Sequence, residues 1–183
     1  MSVLPIRIIG DDILRQKAEP IADVEGEHIK LAYDMAETMI AERGIGLAAP
    51  QVGRSVRLIV VDLKYLEKGD SPLMLINPEI AYIEGSVSME EGCLSIPGLF
   101  AHVERPEKVM VRGLAIKNER KVVEVEISAD DLYARVLLHE IDHLDGILFV
   151  DRLPLEERIS LLAKWQKEKE KLLSSKKKKE ASL

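Results

Sequence analysis

The sequence predicts an α+β fold, with mostly antiparallel sheets packed around a central buried helix and an amphipathic helix at the C-terminus. Runs rich in β-branched residues, typical of strands, come mostly before residue 128. The segment 128–146 is apolar on most sides, as expected of a buried helix. Because the strands precede this helix instead of alternating with helices, an α+β arrangement is favoured over repeated βαβ units.

Composition narrows the class of protein. The 183 residues suggest one domain, for which we expect the bounds 1–173, and 46% of them are hydrophobic and can fill its core. A single cysteine excludes a disulfide scaffold and fits a reducing compartment. The N-terminus lacks a signal-peptide pattern, and no apolar run reaches the roughly 18 residues of a membrane helix. We therefore expect a soluble cytoplasmic protein without a membrane partner.

Charge is distributed unevenly along the chain. The net charge is −6, yet from Lys164 onward eight lysines stand against three glutamates. The C-terminal end therefore carries about +5 and the remaining body about −11. Its last part, 174–183, has low complexity and is predicted to be a basic, disordered tail. This end is either a solvated terminus or a docking segment for a polyanion such as RNA.

The elements before the central helix follow from periodicity and turn signals. Segment 27–42 predicts an amphipathic helix ending at Gly44, with one apolar face formed by Ile29, Ala32, Ala36, Met39 and Ile40. GIGLAAPQVG (44–53) contains three glycines and a proline, which favour a loop. Strands are predicted at 56–62, at 73–85 with a break at Pro78, and at 108–116 and 121–128 as a hairpin.

The central helix is predicted to run from Ser128 to Gly146. Ser128 and Asp131 form a capping-box pattern, and Gly146 supplies a C-terminal stop. A further amphipathic helix is predicted at 155–173, anchored by Leu162 and Trp165.

The central helix carries an H-E-x-x-H motif, HEIDH, at 139–143. His139 and His143 share one helical face about 5–6 Å apart at Cβ, so both imidazoles can bind one metal ion. Glu140 is rotated about 100° from His139 and can reach metal-bound water without ligating the metal. The alternative is that both histidines are core residues without a ligand and that the acid is solvated. Burying such polar groups in an apolar helix without a partner costs free energy.

A hydrolytic metal site usually needs a third protein ligand. The metzincin pattern fails because Phe149 stands where its last histidine would be, and no histidine follows His143. His28 and His102 have no supporting pattern. A glutamate ligand would have to come from the charged terminal helix, at Glu156, Glu157 or Glu168.

The remaining candidate is the single cysteine, in the segment EEGCLSIPG (90–98), which is predicted to be a loop. A thiolate is a strong ligand for a borderline or soft divalent metal. Gly92 allows the backbone to approach another element, and the chain from Cys93 to His139 is long enough to return. Cys93 with the two motif histidines would leave a fourth position open.

Three segments resemble the peptide deformylase family: GIGLAAPQVG (44–53), EGCLS (91–95) and HEIDH (139–143). Their order and separations are similar to the family's, and the helical C-terminus resembles that of bacterial-type members. The resemblance implies a hydrolase that removes the N-formyl group from the formylmethionine of nascent peptides and releases formate. It also implies one divalent metal ion, natively Fe(II), with Zn, Ni or Co as possible occupants.

The resemblance also implies roles for individual residues. Cys93 and the two motif histidines, His139 and His143, hold the metal, whose bound water becomes the hydroxide that attacks the formyl carbon. Glu140 is then the general acid/base. The oxyanion is stabilised by two donors, the side chain of Gln51 and the backbone N–H of Leu94.

Substrate-binding residues are expected around an apolar methionine pocket. The main chain of Gly46 is expected to pair with the extended peptide. The expected pocket walls are Ile45, Met89, Gly92 and Val136.

Roles are also expected for several residues near the motifs. Phe100 stands where some relatives carry a substrate-contacting arginine, which favours an apolar rim. Arg105 and Asp142 are expected to form an ion pair that steadies the central helix. Glu90 and Glu91 are candidates for orienting a metal ligand.

Two other functions compete with this one. A zinc endopeptidase of the H-E-x-x-H type is disfavoured because its downstream third ligand is missing. A non-catalytic metal-binding or ribosome-associated protein is disfavoured because a structural site has no use for Glu140. Since relatives dock near the ribosomal tunnel exit through a C-terminal helix, the resemblance implies a ribosomal partner for the basic end, and no DNA partner.

Overall fold

The computed structural model describes residues 2–180, and the surroundings of side chains through residue 170. It has three α-helices: α1 (Gly26–Ala41), α2 (Asp131–Leu144) and α3 (Leu155–Glu180). Its strands are β1 (Gly46–Ala48), β2 (Leu58–Val61), β3 (Leu73–Glu84), β4 (Val87–Cys93), β5 (Ile96–Arg105), β6 (Lys108–Asn118) and β7 (Lys121–Asp130). Short 3₁₀ helices span Asp12–Arg15, Ala49–Val52 and Phe149–Arg152. The predicted α+β class is confirmed.

The described strands form two antiparallel sheets. One has five strands in the order β1-β2-β3-β6-β7, which includes the predicted β6–β7 hairpin. The other is a hairpin of β4 and β5, which the sequence did not predict. β1 lies at an edge of the larger sheet, where Gly46 pairs with Val61 of β2. The other edge of β1 therefore has no strand beside it among the described residues.

The larger sheet separates two helices. Along β2, Ile59 and Val61 pack in the core cluster of α2, whereas Leu58 and Val60 pack in the cluster of α1. Successive residues of a strand face opposite sides, and all four are fully buried. Each such aliphatic side chain stabilises the fold by roughly 1.5–3 kcal/mol. This packing fixes α2, and every residue from Tyr133 to Leu144 is buried, as predicted.

The N-terminus of α2 differs from the prediction. Ser128 does not cap the helix, because it lies within β7 and pairs with Met110. β7 continues to Asp130, which is the N-cap residue but makes no side-chain capping bond. Asp131 then turns the chain into the helix with φ of 47°. Strand pairing in the hairpin has therefore overridden the local capping pattern.

The C-terminus of α2 ends as predicted. The N–H of Gly146 donates to the carbonyl of His143 at 3.2 Å, and that of Ile147 donates to the carbonyl of Asp142 at 2.9 Å. This is a Schellman motif, with Gly146 at φ of 72°. A Cβ at Gly146 would also lie 2.6 Å from the carbonyl oxygen of Arg15, so glycine is required there.

Two segments predicted to lack regular structure, the loop 44–53 and the strand break at Pro78, contain regular secondary structure. The segment 44–53 is not simply a loop, because it contains β1 and the 3₁₀ helix Ala49–Val52. β3 runs past Pro78 without ending, since a register shift between Ile76 and Glu79 accommodates the proline. On α1, Ile40 is 56% exposed, so it does not belong to the buried apolar face of the helix in which the sequence placed it.

α3 contacts the body along a narrow stripe that includes both predicted anchors. Leu161, Leu162 and Trp165 pack against the β4–β5 cluster, and the Trp165 indole N–H donates to the carbonyl of Pro97 at 2.9 Å. The helix continues to Glu180, into the segment 174–183 for which disorder was predicted; residues 181–183 lie outside the described residues. The domain bounds 1–173 stay a prediction. Within the part of the chain that is described, no helix combines the length and apolarity needed to cross a bilayer.

Candidate metal centre

The face of α2 turned away from the larger sheet carries buried ionisable residues. Arg135, His139, Asp142 and His143 are each less than 10% exposed, and their spacing places them on one side of the helix. The β4–β5 hairpin covers this side, because Arg135 donates to the backbone carbonyl of Val103 at 2.8 Å.

The hairpin also supplies the cysteine. The segment 90–98 is not the loop that the sequence predicted: Cys93 is the last residue of β4, and Leu94 and Ser95 form a tight turn into β5. The hairpin therefore fixes the cysteine on a strand facing α2.

Cys93, His139 and His143 come together as predicted. Their ligand atoms all lie within 4.8 Å of one another, and Cys93 Sγ is 3.3 Å from His143 Nε2. The two imidazole rings are 5.0 Å apart between centroids and inclined at 71°, so they approach one point from different directions. One sulfur and two imidazole nitrogens suit iron, zinc, nickel or cobalt in the divalent state. The residues present therefore fit one divalent metal ion, as the resemblance implies.

The two histidines differ in their affinity for protons. For His139, burial favours the neutral form, but contacts with Cys93 and Glu91 outweigh it and raise the pKa well above its usual value. For His143, burial and the charge of His139 lower the pKa well below its usual value. His143 is thus ready to donate its lone pair to a metal. His139 exchanges a proton for the metal, so we expect metal uptake to release a proton.

Glu91 orients His139. The Nδ1–H of His139 donates to Glu91 Oε2 at 2.9 Å, which directs Nε2 towards Cys93 and His143. Burial alone would raise the pKa of Glu91, but hydrogen bonds from His139 and Arg105 lower it to about 2. Arg105 and Arg135 donate to Glu91 Oε1 at 2.5 and 2.6 Å. Arg105 also donates to Oε2 through Nη2 at 3.0 Å, so Glu91 is a buried anion held by four hydrogen bonds from three side chains.

An ion-pair chain extends from Glu91 to the far end of α2. Arg105 Nη1 lies 2.7 Å from Asp142 Oδ2, which confirms the predicted pair. Arg152 makes a bidentate contact with the same carboxylate at 2.5 and 3.0 Å. This series of ion pairs joins β5, α2 and the 3₁₀ helix after α2. Each of the two buried carboxylates in it, Glu91 and Asp142, is neutralised by contact with arginines.

Glu140 lies beside the ligand set without belonging to it. It is 4% exposed, and its Oε2 has no hydrogen-bond partner among the described residues. Burial raises the pKa of Glu140 to about 7. A Cβ at Gly46 would lie 2.9 Å from the Glu140 Cδ, so only glycine allows β1 to pass this closely. A carboxyl group with this pKa can exchange protons near neutral pH.

Gln51 is held with its amide nitrogen towards the cysteine. Its Oε1 accepts the backbone N–H of Ala48 at 2.8 Å, which fixes the orientation of the amide. Its Nε2 donates to Ser95 Oγ at 3.2 Å and contacts Cys93 Sγ at 3.5 Å. The side chain is 2% exposed, so its amide is held in one orientation beside Cys93.

A cavity of about 460 Å³ opens beside these residues. It is lined by the predicted Ile45, Gly46, Gln51, Gly92, Cys93, Leu94, Val136, His139 and Glu140. Met89 is not among the lining residues; it pairs with Val103 in the β4–β5 hairpin. Phe100 lines the cavity and is 59% exposed, and a Cβ at Gly92 would lie 2.5 Å from its ring. The rim at Phe100 is therefore apolar, as expected.

Sequence reasoning missed the role of Arg135 and left that of Glu91 open. Glu91 lies two residues before Cys93, and this spacing indicates a shared face only if the segment is read as a strand. Arg135 lies four residues before His139, which places both on one face of α2. Each signal depends on knowing the element that carries the residue.

Similarity to known proteins agrees with this geometry. Residues 3–158 match the family model for polypeptide deformylase. A peptide deformylase of Thermodesulfovibrio yellowstonii is 49% identical over 160 residues, which cover 87% of this chain and 94% of the relative. The crystal structure of a peptide deformylase from Legionella pneumophila has a TM-score of 0.84 at 38% identity, covering 94% of this chain and 98% of that one. Another from Ehrlichia chaffeensis, in complex with actinonin, has a TM-score of 0.82 at 38% identity and covers 92% and 98%. This chain belongs to the polypeptide deformylase family.

Proposed function

We propose that this protein removes the N-formyl group from the formylmethionine of nascent peptides and releases formate. The observation that carries the proposal is the grouping of Cys93, His139 and His143 beside Glu140 at the wall of a cavity, with Glu140 Oε2 lacking a hydrogen-bond partner among the described residues. Three ligands and a separate acid/base suit hydrolysis better than a closed structural site. This grouping therefore also argues against the non-catalytic alternative.

In this proposal Cys93, His139 and His143 hold one divalent ion, natively Fe(II), with Zn, Ni or Co able to replace it. The ion, when bound, supplies Lewis acidity towards water and the formyl oxygen. Glu140 takes a proton from the attacking water and passes it to the departing amine. In the metal-free protein burial raises the pKa of this carboxyl to about 7, which shows that its surroundings favour holding a proton.

Charge on the formyl oxygen is stabilised by donors that do not move during the reaction. Gln51 Nε2 is one, because its amide is locked by Ala48 and Ser95. The backbone N–H of Leu94, in the turn after Cys93, is the other. Losing one such donor typically costs about 10²–10³ in kcat.

The peptide is proposed to bind in extended form along the open edge of β1. Gly46 lies on this edge and borders both the cavity and Glu140. Pairing with its main chain would direct the first side chain into the cavity, where Ile45 and Val136 offer apolar contact. Gly92 lines the same cavity and is proposed to contact the peptide, and its missing side chain leaves room for the Phe100 ring at the rim.

Formate release from formyl-Met-Ala-Ser tests the proposal. The protein is stripped with a chelator and reconstituted anaerobically with Fe(II), and separately with Zn, Ni or Co. We expect formate and intact Met-Ala-Ser as products, with acetyl-Met-Ala-Ser as an unreactive control. Cleavage of an internal peptide bond instead would favour the endopeptidase alternative and contradict the proposal.

The site of action is proposed to be the ribosomal tunnel exit in the cytoplasm. Formylated chains emerge there, and a reducing compartment keeps the cysteine ligand reduced. Beyond its narrow contact stripe, α3 is exposed through residue 170, and the chain from Lys164 onward is lysine-rich. A basic end on an acidic body suits ribosomal RNA.

A further inference from the structure

Arg43 occupies a backbone position that normally favours glycine. It follows α1 as the C′ residue of a Schellman motif: its N–H donates to the carbonyl of Ile40 at 3.1 Å, and that of Gly44 donates to the carbonyl of Met39 at 2.8 Å. Arg43 has φ of 57°, in the left-handed region, where a side chain costs free energy that glycine avoids. The neighbouring position, Gly44, could not carry a side chain instead, because a Cβ there would lie 2.9 Å from Leu94 Cδ1.

This arginine lines the mouth of the active-site cavity. It is exposed, and no carboxylate of the described side chains lies within ion-pair distance of its guanidinium. The other charged lining residues differ: Glu91 and Arg135 are buried and paired, Glu140 is buried, and Glu90 is exposed but is an anion. Among the side chains that the structure describes, Arg43 is therefore the cation at this mouth that remains available to a solute.

We propose that Arg43 is a specificity-determining residue that binds a carboxylate of the substrate, in the portion that follows formylmethionine. The inference rests on the proposed function. A guanidinium at the mouth can form a charge-assisted, bidentate hydrogen bond with an acidic side chain. A strained arginine at a substrate entrance fits such a role, because strained backbone is retained where a side chain is needed.

The geometry further restricts the preference to one position. Arg43 belongs to the wall formed by 43–46, whereas the exposed Glu90 belongs to the β4–β5 wall of the same cavity. Successive side chains of an extended peptide point to opposite sides. An acidic side chain is therefore favoured at one of the two positions after methionine, and not at both.

The test compares C-terminally amidated formyl-Met-Asp-Ser and formyl-Met-Ala-Asp with their isosteric asparagine analogues. We expect kcat/KM for aspartate to exceed that for asparagine at one position by roughly threefold to fivefold, through KM, as an exposed ion pair allows. The ratio should fall with added salt. A peptide with a free C-terminal carboxylate, formyl-Met-Ala-Ser, shows separately whether the terminus is bound instead of a side chain.

Four variants complete the test. Arg43→Asn tolerates the left-handed conformation and should bring the ratio close to one, while Arg43→Lys should retain part of it. Arg120→Asn, in the distant β6–β7 turn, removes the same charge and should leave the ratio unchanged. Arg43→Gly should abolish the ratio yet raise Tm, whereas a purely structural arginine would lower Tm when replaced.

Three results would overturn the inference, and the last is distinguishable from the first two. If the wild type releases formate from uncharged peptides but treats aspartate and asparagine alike, or if Arg43→Asn keeps the preference, Arg43 has no such role. If no formylated peptide is a substrate, the proposed function fails, and this inference fails with it.

Discussion

At the scale of single residues, Glu140 has a measurable cost to stability. In metal-free protein its pKa is about 7 when folded, against an ordinary value of 4.5. The folded state then holds a proton that the unfolded state has lost, so stability falls as pH rises from about 4.5 through about 7. Glu140→Gln should remove this loss and stabilise the metal-free protein at pH 8 by on the order of 3 kcal/mol. Urea unfolding in chelator across this pH range measures it; parallel curves for both proteins would show that the carboxyl is not buried as described.

Glu91 and its neighbour Glu90 form a matched pair for testing how His139 is held. Glu91 accepts from His139 and two arginines, whereas Glu90 is exposed. Glu91→Gln should weaken metal binding by about 10- to 100-fold, because it loosens a ligand and leaves buried arginines undercompensated. Competition with a chromogenic chelator measures the affinity. Glu90→Gln should bind metal like the wild type, and equal affinities for all three proteins would refute the orienting role.

At the scale of elements, the approach of β1 to α2 requires glycine at position 46. An added methyl group would overlap Glu140, so Gly46→Ala must move either the strand or the carboxylate. We expect kcat/KM to fall on the order of a hundredfold, the cost of a displacement near 1 Å. Gly26→Ala at the start of α1 meets no atom within 4 Å and serves as the control. Retained activity in Gly46→Ala would contradict the close approach.

Helices and strands were predicted correctly from the sequence where the periodicity of apolar residues is sufficient to determine the secondary structure. The pattern of α2 indicated a buried helix, and its HEIDH spacing placed two histidines on one face, as found. The β4–β5 hairpin escaped prediction because Gly92, Pro97 and Gly98 resemble loop residues, yet they lie within or beside paired strands. The same error hid the contacts of Glu91, although the Arg105–Asp142 pair was predicted. The hairpin brings Glu91 next to Arg105, and its packing on α2 brings Glu91 next to Arg135. The start of α2 was misplaced because non-local strand pairing extends β7 to Asp130.

At the scale of the whole molecule, charge separation between body and C-terminal end underlies the proposed docking. Truncation after Leu173 removes four consecutive lysines, 176–179, and leaves the packing stripe of α3 in place. Ribosome affinity in a pelleting assay should fall, and its salt dependence should weaken, because fewer phosphate contacts release fewer counterions. Formate release from a free tripeptide should persist, since the catalytic residues are distant in sequence. Unchanged ribosome binding would contradict docking through this end.

The central claim is that Cys93, His139 and His143 hold the metal while Glu140 performs the proton transfers. It is tested most directly by measuring bound metal and formate release together, for the wild type and Glu140→Ala reconstituted in parallel. We predict one metal ion per chain in both, and a rate in the variant lower by at least about 10²-fold. A variant that binds metal and still releases formate at a substantial rate would contradict the account.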